Sequence, residues 1–170
     1  LMLQHPVTTS FGEGFVQVTE TLKALKKIPK IQKIVMWPNI DAGSDDVSKG
    51  IRHFREFNMK ESIYYYKNFS PENYARVLNN ALCCVGNSSS FIREGAFLGV
   101  PAVIIGDRQK GREHGKNIIF SKHNCHEIAE KINFQIDNGR FNSDTVFGNG
   151  TAGEKIAQQL SKIDFDLIKK

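Results

Sequence analysis

The sequence predicts an α/β protein, a parallel sheet with crossover helices on both faces. Short apolar runs rich in β-branched residues, such as Ile31 to Trp37 and Val100 to Ile105, alternate along the chain with stretches whose apolar residues recur at three and four. That exchange between two periodicities is the signature of parallel strands joined by helices. The composition agrees: 170 residues, 40% hydrophobic and 24% charged, with 14 Gly and 5 Pro, are enough for one sizeable core and unlike a disordered or collagen-like chain.

Taken in order, Leu1 to His5 is strand-like and runs into a turn at Phe11-Gly12-Glu13-Gly14. From Gly14, the set Phe15, Val18, Leu22 and Leu25 predicts a helix ending before Pro29, with Lys23, Lys26 and Lys27 toward water. Ile31 to Trp37 is a buried strand stopped by Pro38, and Val47 to Phe57 is a helix announced by Ser44, Asp45 and Asp46. Ile63 to Tyr66 is a strand, with alternating burial expected for its tyrosines. Ser70-Pro71-Glu72 starts a helix with a cap and then Pro at its first position. Ala81 to Val85 is a strand, Ser88 to Leu98 a helix, and Pro101 to Ile105 a strand. The segment Gly106 to Gly115 has no helical or strand period. Asn117 to Phe120 is a short strand. Two helices follow, Cys125 to Phe134 with Ile128, Ile132 and Phe134 on one face, and Glu154 to Ile163 with Ile156, Leu160 and Ile163, separated by a turn at Phe147-Gly148-Asn149-Gly150. No internal repeat or linker-like segment appears, so a single domain over 1–170 is expected.

Composition also excludes. The longest apolar runs are far shorter than the roughly 20 residues needed to cross a bilayer, so no membrane span is expected. The N-terminus has neither the basic nor the apolar region of a secretion signal and no initiating Met, as in a piece of a longer polypeptide. Cys83, Cys84 and Cys125 are an odd number without framework spacing, which points to free thiols in the cytoplasm. The net charge of +5 is dispersed rather than gathered into a basic stripe with exposed aromatics, which suggests an anionic ligand and argues against nucleic acid.

Ligands of open α/β sheets bind beyond the carboxyl ends of the strands, where amides at helix N-termini point outward. At one such junction, Val85-Gly86-Asn87-Ser88-Ser89-Ser90, an apolar strand meets a glycine and then a run of hydroxyls, suited to cradling phosphate. The plainer alternative is that Asn87 or Ser88 only caps the helix. Capping leaves Glu94 unexplained, since it stands beyond the third helical position where a capping-box carboxylate belongs, near the face of Ser90. The loop Gly106 to Gly115 puts Arg108, Lys110 and Arg112 among glycines, able to clamp diphosphate oxygens or simply to sit in solvent. It is not a Walker loop, and no Gly-x-Gly-x-x-Gly is present. His5 stands at a strand end, where a histidine is either structural or functional. His123-Asn124-Cys125-His126 lacks the spaced partner pair of a zinc site, so no metal is expected.

Gly86-Asn87-Ser88-Ser89-Ser90 with Arg93-Glu94-Gly95-Ala96, then Gly99-Val100-Pro101-Ala102-Val103 and Arg108-Gln109-x-Gly111-Arg112-Glu113, resembles the hydrolysing UDP-N-acetylglucosamine 2-epimerases. His5-Pro6-Val7-Thr8-Thr9, Pro38-Asn39-Ile40-Asp41-Ala42-Gly43-Ser44 and Phe147-Gly148-Asn149-Gly150 fall in the family's order. The resemblance implies a Rossmann-like lobe, the C-terminal, nucleotide-holding half of a two-lobed glycosyltransferase-B-like fold, with the N-terminal catalytic lobe absent from this chain. It implies elimination of UDP from UDP-GlcNAc and release of N-acetylmannosamine for sialic acid synthesis, without cofactor, by a cytoplasmic homo-oligomer. It further implies His5 as the catalytic residue at the diphosphate, and Asn39, Phe69, Ser88, Ser89, Glu94 and Arg108 as the UDP-binding set. Ser88 and Ser89 would meet phosphate, Glu94 the ribose and Phe69 the uracil, with Arg112 and Glu113 as candidates for a phosphate- or sugar-facing loop. The family's proton-abstracting carboxylates belong to the other lobe, so this chain alone is expected to bind UDP weakly and turn over nothing. A sister activity on a UDP-2,4-diacetamido-trideoxyhexose and a stand-alone nucleotide-binding module are the alternatives.

Overall fold

The computed structural model describes residues 1–28, 30–58 and 62–163. Six strands, β1 (Met2–Leu3), β2 (Lys33–Met36), β3 (Ile63–Tyr66), β4 (Cys84–Gly86), β5 (Ala102–Ile105) and β6 (Ile118–Ser121), form one sheet in the order β3-β2-β1-β4-β5-β6. Every neighbouring pair is parallel. The helices are α1 (Gly14–Lys26), α2 (Ser44–Phe57), α3 (Pro71–Asn79), α4 (Ser89–Leu98), α5 (Cys125–Asn138) and α6 (Ala152–Leu160). The predicted α/β class holds, with the doubly wound order of a Rossmann-like sheet.

Strand residues take turns between two hydrophobic layers, as the two-residue period of a strand requires. Met2, Val35, Val85, Val103 and Ile105 face α1, α2 and α5, meeting Val18, Leu22, Ile51, Phe54, Ile128 and Ile132. Leu3, Met36, Cys84, Ala102 and Ile104 face the other way, against Leu78 of α3 and Phe91 and Ile92 of α4. Because both faces are covered, central strands read as continuous apolar runs, which is how β5 was legible. The tyrosines of β3, an edge strand, alternate in burial as expected, with Tyr65 half-buried and Tyr64 and Tyr66 exposed.

Two expectations need correction. Phe134 is 61% exposed, and Ile136 takes its place beside the core. Two residues beyond Ile132 is roughly 200° around a helix, which turns Phe134 outward. In α6 the helix forms, but Ile156, Leu160 and Ile163 all remain exposed, because α6 lies outside both core clusters. Helix α1 ends at Lys26, and Pro29 lies outside the described residues.

The chain leaves β1 toward the face of α1 and leaves β4 toward the face of α4. Beyond the carboxyl ends of these adjacent strands the connections diverge and open a crevice, the place where such sheets bind ligands. The two strands approach closely there: a Cβ on Gly86, at φ +138°, would come within 2.0 Å of the Leu3 carbonyl oxygen. Only glycine has both that conformation and that clearance. Gly86→Ala is therefore expected to destabilise the fold by about 3 kcal/mol or more. A urea midpoint unchanged from the parent chain would refute that account of the strand contact.

Candidate functional site

Asn87, fully buried at the end of β4, joins the two sides of the crevice. Its side-chain Oδ1 accepts the His5 backbone N–H at 2.7 Å, and its Nδ2 donates to the His5 carbonyl at 2.9 Å. The Asn87 carbonyl in turn accepts Arg108 Nη1 at 3.1 Å and Gln109 Nε2 at 2.8 Å. One residue thus holds both the strand-end histidine and the root of the 106–117 connection between β5 and β6. Sequence reasoning offered Asn87 or Ser88 as the helix cap. The cap is Ser88, whose Oγ accepts the Ser90 N–H at 3.4 Å, and Asn87 is free for the cross-strand clamp. A second polar residue beside a sufficient cap, at an apolar strand end, was the available signal.

His5 is 4% exposed. Its Nδ1 accepts the Asn39 backbone N–H at 3.2 Å, which places the proton of the neutral ring on Nε2. Burial, reinforced by the Arg108 charge and opposed by Asp41, pushes the imidazole down to about 4. At neutral pH the ring is therefore an uncharged hydrogen-bond donor, and the positive charge of the crevice belongs to Arg108. That guanidinium is partly buried and reaches Asp41 at 3.8 Å, a pairing partner that sequence reasoning did not single out.

The remaining predicted residues take different places. Ser88 is buried at the α4 N-cap and Ser89 opens the helix, where first-turn N–H groups lack intrahelical partners. Ser88 Oγ lies 2.9 Å from Ser90 Oγ, which lies 2.5 Å from the Tyr74 hydroxyl on α3. Glu94 is exposed one turn after Ser90. Asn39 serves His5 through its backbone, and its side chain is exposed. Phe69 is half-buried on the α3 side, its ring 4.7 Å from Tyr66. Arg108 lines a recess of about 650 Å³ with Thr8, Thr9, Ile40 and Asp41. Arg112 and Glu113 are exposed and line another, of similar size, with His114 and Phe120. The two recesses share Asp107 alone, so the structure places Arg112 and Glu113 in a different recess from Arg108. A more apolar recess, lined by Leu25, Ile28, Ile31 and Ile132, opens at the amino ends of the strands, away from these groups.

The thiols are free, and burial pushes Cys83 up to about 12 and Cys84 to about 11, which makes them poor nucleophiles. Asn124 of the His123–His126 segment caps α5, accepting the His126 and Glu127 N–H groups at 3.1 and 3.0 Å. Among the described residues, no helix is long and apolar enough to cross a membrane.

A buried histidine, an arginine and a hydroxylated helix N-terminus gather around the carboxyl ends of β1 and β4 of a Rossmann-like sheet. Comparison with known proteins is specific: residues 1–161 match the family model described as UDP-N-acetylglucosamine 2-epimerase, and the chain belongs to that family. It is 28% identical over 160 residues to the UDP-N-acetylglucosamine 2-epimerase of Neisseria meningitidis serogroup B, covering 92% of this chain and 41% of that protein. It is 29% identical over 124 residues, 73% of this chain and 32% of the other, to the hydrolysing GDP/UDP-N,N'-diacetylbacillosamine 2-epimerase of Campylobacter jejuni. Among solved structures, UDP-GlcNAc 2-epimerase from N. meningitidis bound to UDP-GlcNAc superposes with a TM-score of 0.71 at 14% identity, over 95% of this chain and 44% of that one. The chain thus spans well under half the length of the relatives it matches.

The displaced imidazole makes stability depend on pH. The folded value near 4 lies below the ordinary 6.5, so the unfolded chain takes up the proton first. The contribution of the neutral buried ring is complete above 6.5 and is lost as pH falls from there toward 4, by up to about 1.4 kcal/mol per pH unit. Urea midpoints measured across that window are expected to fall more steeply for the parent chain than for His5→Gln. Equal slopes would show that His5 titrates normally.

Proposed function

We propose that this chain is the UDP-binding, C-terminal lobe of a hydrolysing UDP-N-acetylglucosamine 2-epimerase, converting UDP-GlcNAc to N-acetylmannosamine and UDP when joined to an N-terminal lobe. The observation that carries the proposal is the meeting of His5, Arg108 and the α4 N-terminus at one crevice, joined through Asn87. In the proposed reaction a base on the other lobe removes the proton from sugar C2. The C2–H electrons form the C1–C2 double bond as the C1–O bond breaks, and UDP departs with the bonding pair; water then adds to the glycal-type intermediate.

Charge accumulates on the departing diphosphate, and that is where fixed donors accelerate the step. His5 would present Nε2–H and Arg108 its guanidinium. Ser88 and Ser89 would contribute hydroxyls and amides at the positive end of the α4 dipole. Glu94, on the outer face of α4, would receive the ribose hydroxyls, Phe69 would meet the uracil and Asn39 would border the nucleotide. Arg112 and Glu113 would contribute only if their loop moved toward the crevice. The proposal includes a cytoplasmic, homo-oligomeric full-length enzyme whose product feeds sialic acid synthesis. The likeness to the C. jejuni enzyme supports a second reading, action on a UDP-2,4-diacetamido-trideoxyhexose. Residues that choose between the sugars belong to the sugar-facing lobe.

Calorimetry with UDP is expected to show weak binding by the parent chain, and at least tenfold weaker binding, about 1.4 kcal/mol, for Glu94→Ala and His5→Ala. Binding unaffected by both changes would refute the site. Release of N-acetylmannosamine by this chain alone would refute the division of labour between lobes.

A further inference from the structure

Three hydroxyls form a chain that the UDP-binding reading leaves unexplained. Tyr74 on α3 reaches Ser90 Oγ at 2.5 Å, and Ser90 Oγ reaches Ser88 Oγ at 2.9 Å, so a residue on a different helix is linked to the α4 N-cap. Three hydroxyls carry three protons and the two links use two of them, which leaves one proton for something outside the chain. The position of that spare proton depends on the direction of the links.

Several observations set the direction. A phenol is far more acidic than an aliphatic alcohol, hence the better donor and the weaker acceptor of the pair. Tyr74 keeps its proton at any ordinary pH, since burial pushes it up to about 12. The Glu94 carboxylate is close enough to raise the phenol electrostatically, yet no hydrogen bond joins the two among the described residues. The Tyr74 proton is thus directed into the serine pair. Ser90, receiving it, donates to Ser88. Ser88 Oγ then accepts from the Ser90 hydroxyl and from the Ser90 N–H at 3.4 Å, and its own proton is the one left unused by the chain.

We infer that Tyr74 is a positioning residue which, through Ser90, fixes the Ser88 hydroxyl as a donor toward the terminal phosphates of a bound nucleoside diphosphate. This rests on the UDP-binding reading for its ligand and adds a residue that no phosphate touches. It also gives Ser90 a function distinct from its neighbours: Ser88 and Ser89 face the ligand, and Ser90 faces Tyr74. Removing the phenolic oxygen frees the Ser90 and Ser88 protons to point either way, and the cradle loses a pre-set donor without losing any packing.

The test is calorimetry of the 170-residue chain with UDP, uridine and pyrophosphate, using Tyr74→Phe, Ser90→Ala and the double variant. Each single change is expected to weaken UDP and pyrophosphate three- to tenfold and leave uridine unchanged, with the double variant no worse than either single one. The Tyr74→Phe urea midpoint should stay near that of the parent chain, because phenylalanine keeps the ring. UDP binding untouched by Tyr74→Phe overturns the relay while the nucleotide reading stands, and so do fully additive losses or an equal loss for uridine. Pyrophosphate bound and weakened as expected, with no binding of UDP, overturns the nucleotide reading and leaves the relay standing. No binding of either anion by the parent chain overturns both.

Discussion

The site hangs on the Asn87 side chain. Its amide makes two antiparallel bonds to the backbone of His5 across the seam between β1 and β4, while the backbone carbonyl of the same residue receives two donors from the loop after β5. A buried amide left without partners costs on the order of 1–3 kcal/mol, so an intact set of bonds discriminates strongly against any other arrangement of these strand ends. The seam must be narrow for the bonds to close, and Gly86, immediately before Asn87, permits that approach. Clamp and glycine are one device: the backbone clearance sets the spacing, and the amide sets the register of the histidine.

The clamp also explains the electrostatics. His5 has its backbone clamped by Asn87 just beyond β1 and its Nδ1 engaged by the Asn39 N–H, and its buried ring is desolvated by its surroundings and kept neutral beside Arg108. Divided in this way, the crevice offers a permanent positive charge, a neutral donor and a helix N-terminus, joined through Asn87. Such fixed dipoles suit a ligand whose negative charge grows during reaction, because they need no reorganisation when it does. The Arg108 guanidinium is not tightly committed to Asp41, since 3.8 Å leaves it available to an oxygen that approaches more closely.

Much of the fold was legible in the sequence because its layers are simple. Central strands buried on both faces read as apolar runs, and caps such as Ser70 and Asn124 occupy the positions their chemistry predicts. The failures have physical causes. Phe134 stands two residues past Ile132 and so off the covered face of α5, and the apolar stripe of α6 looked like core because periodicity reports that a face is apolar and not whether another element covers it. Asn87 was hidden because local sequence cannot distinguish an amide that caps its own helix from one that reaches a strand 82 residues away. Arg112 and Glu113 stood only a few residues from Arg108 in the chain, but the loop carries them into a different recess.

The amino-acid order alone determined the class of sheet, the junctions where ligand chemistry could sit and the residue types there, because periodicity, capping and glycine placement are local properties of a chain. Tertiary structure alone decided which of those junctions meet. His5 and Asn87 become neighbours only when β1 is inserted beside β4, and Tyr74 reaches Ser90 only when α3 and α4 pack on the same face of the sheet. It also decided the protonation of His5, because desolvation comes from the packing around a group and not from its neighbours in sequence.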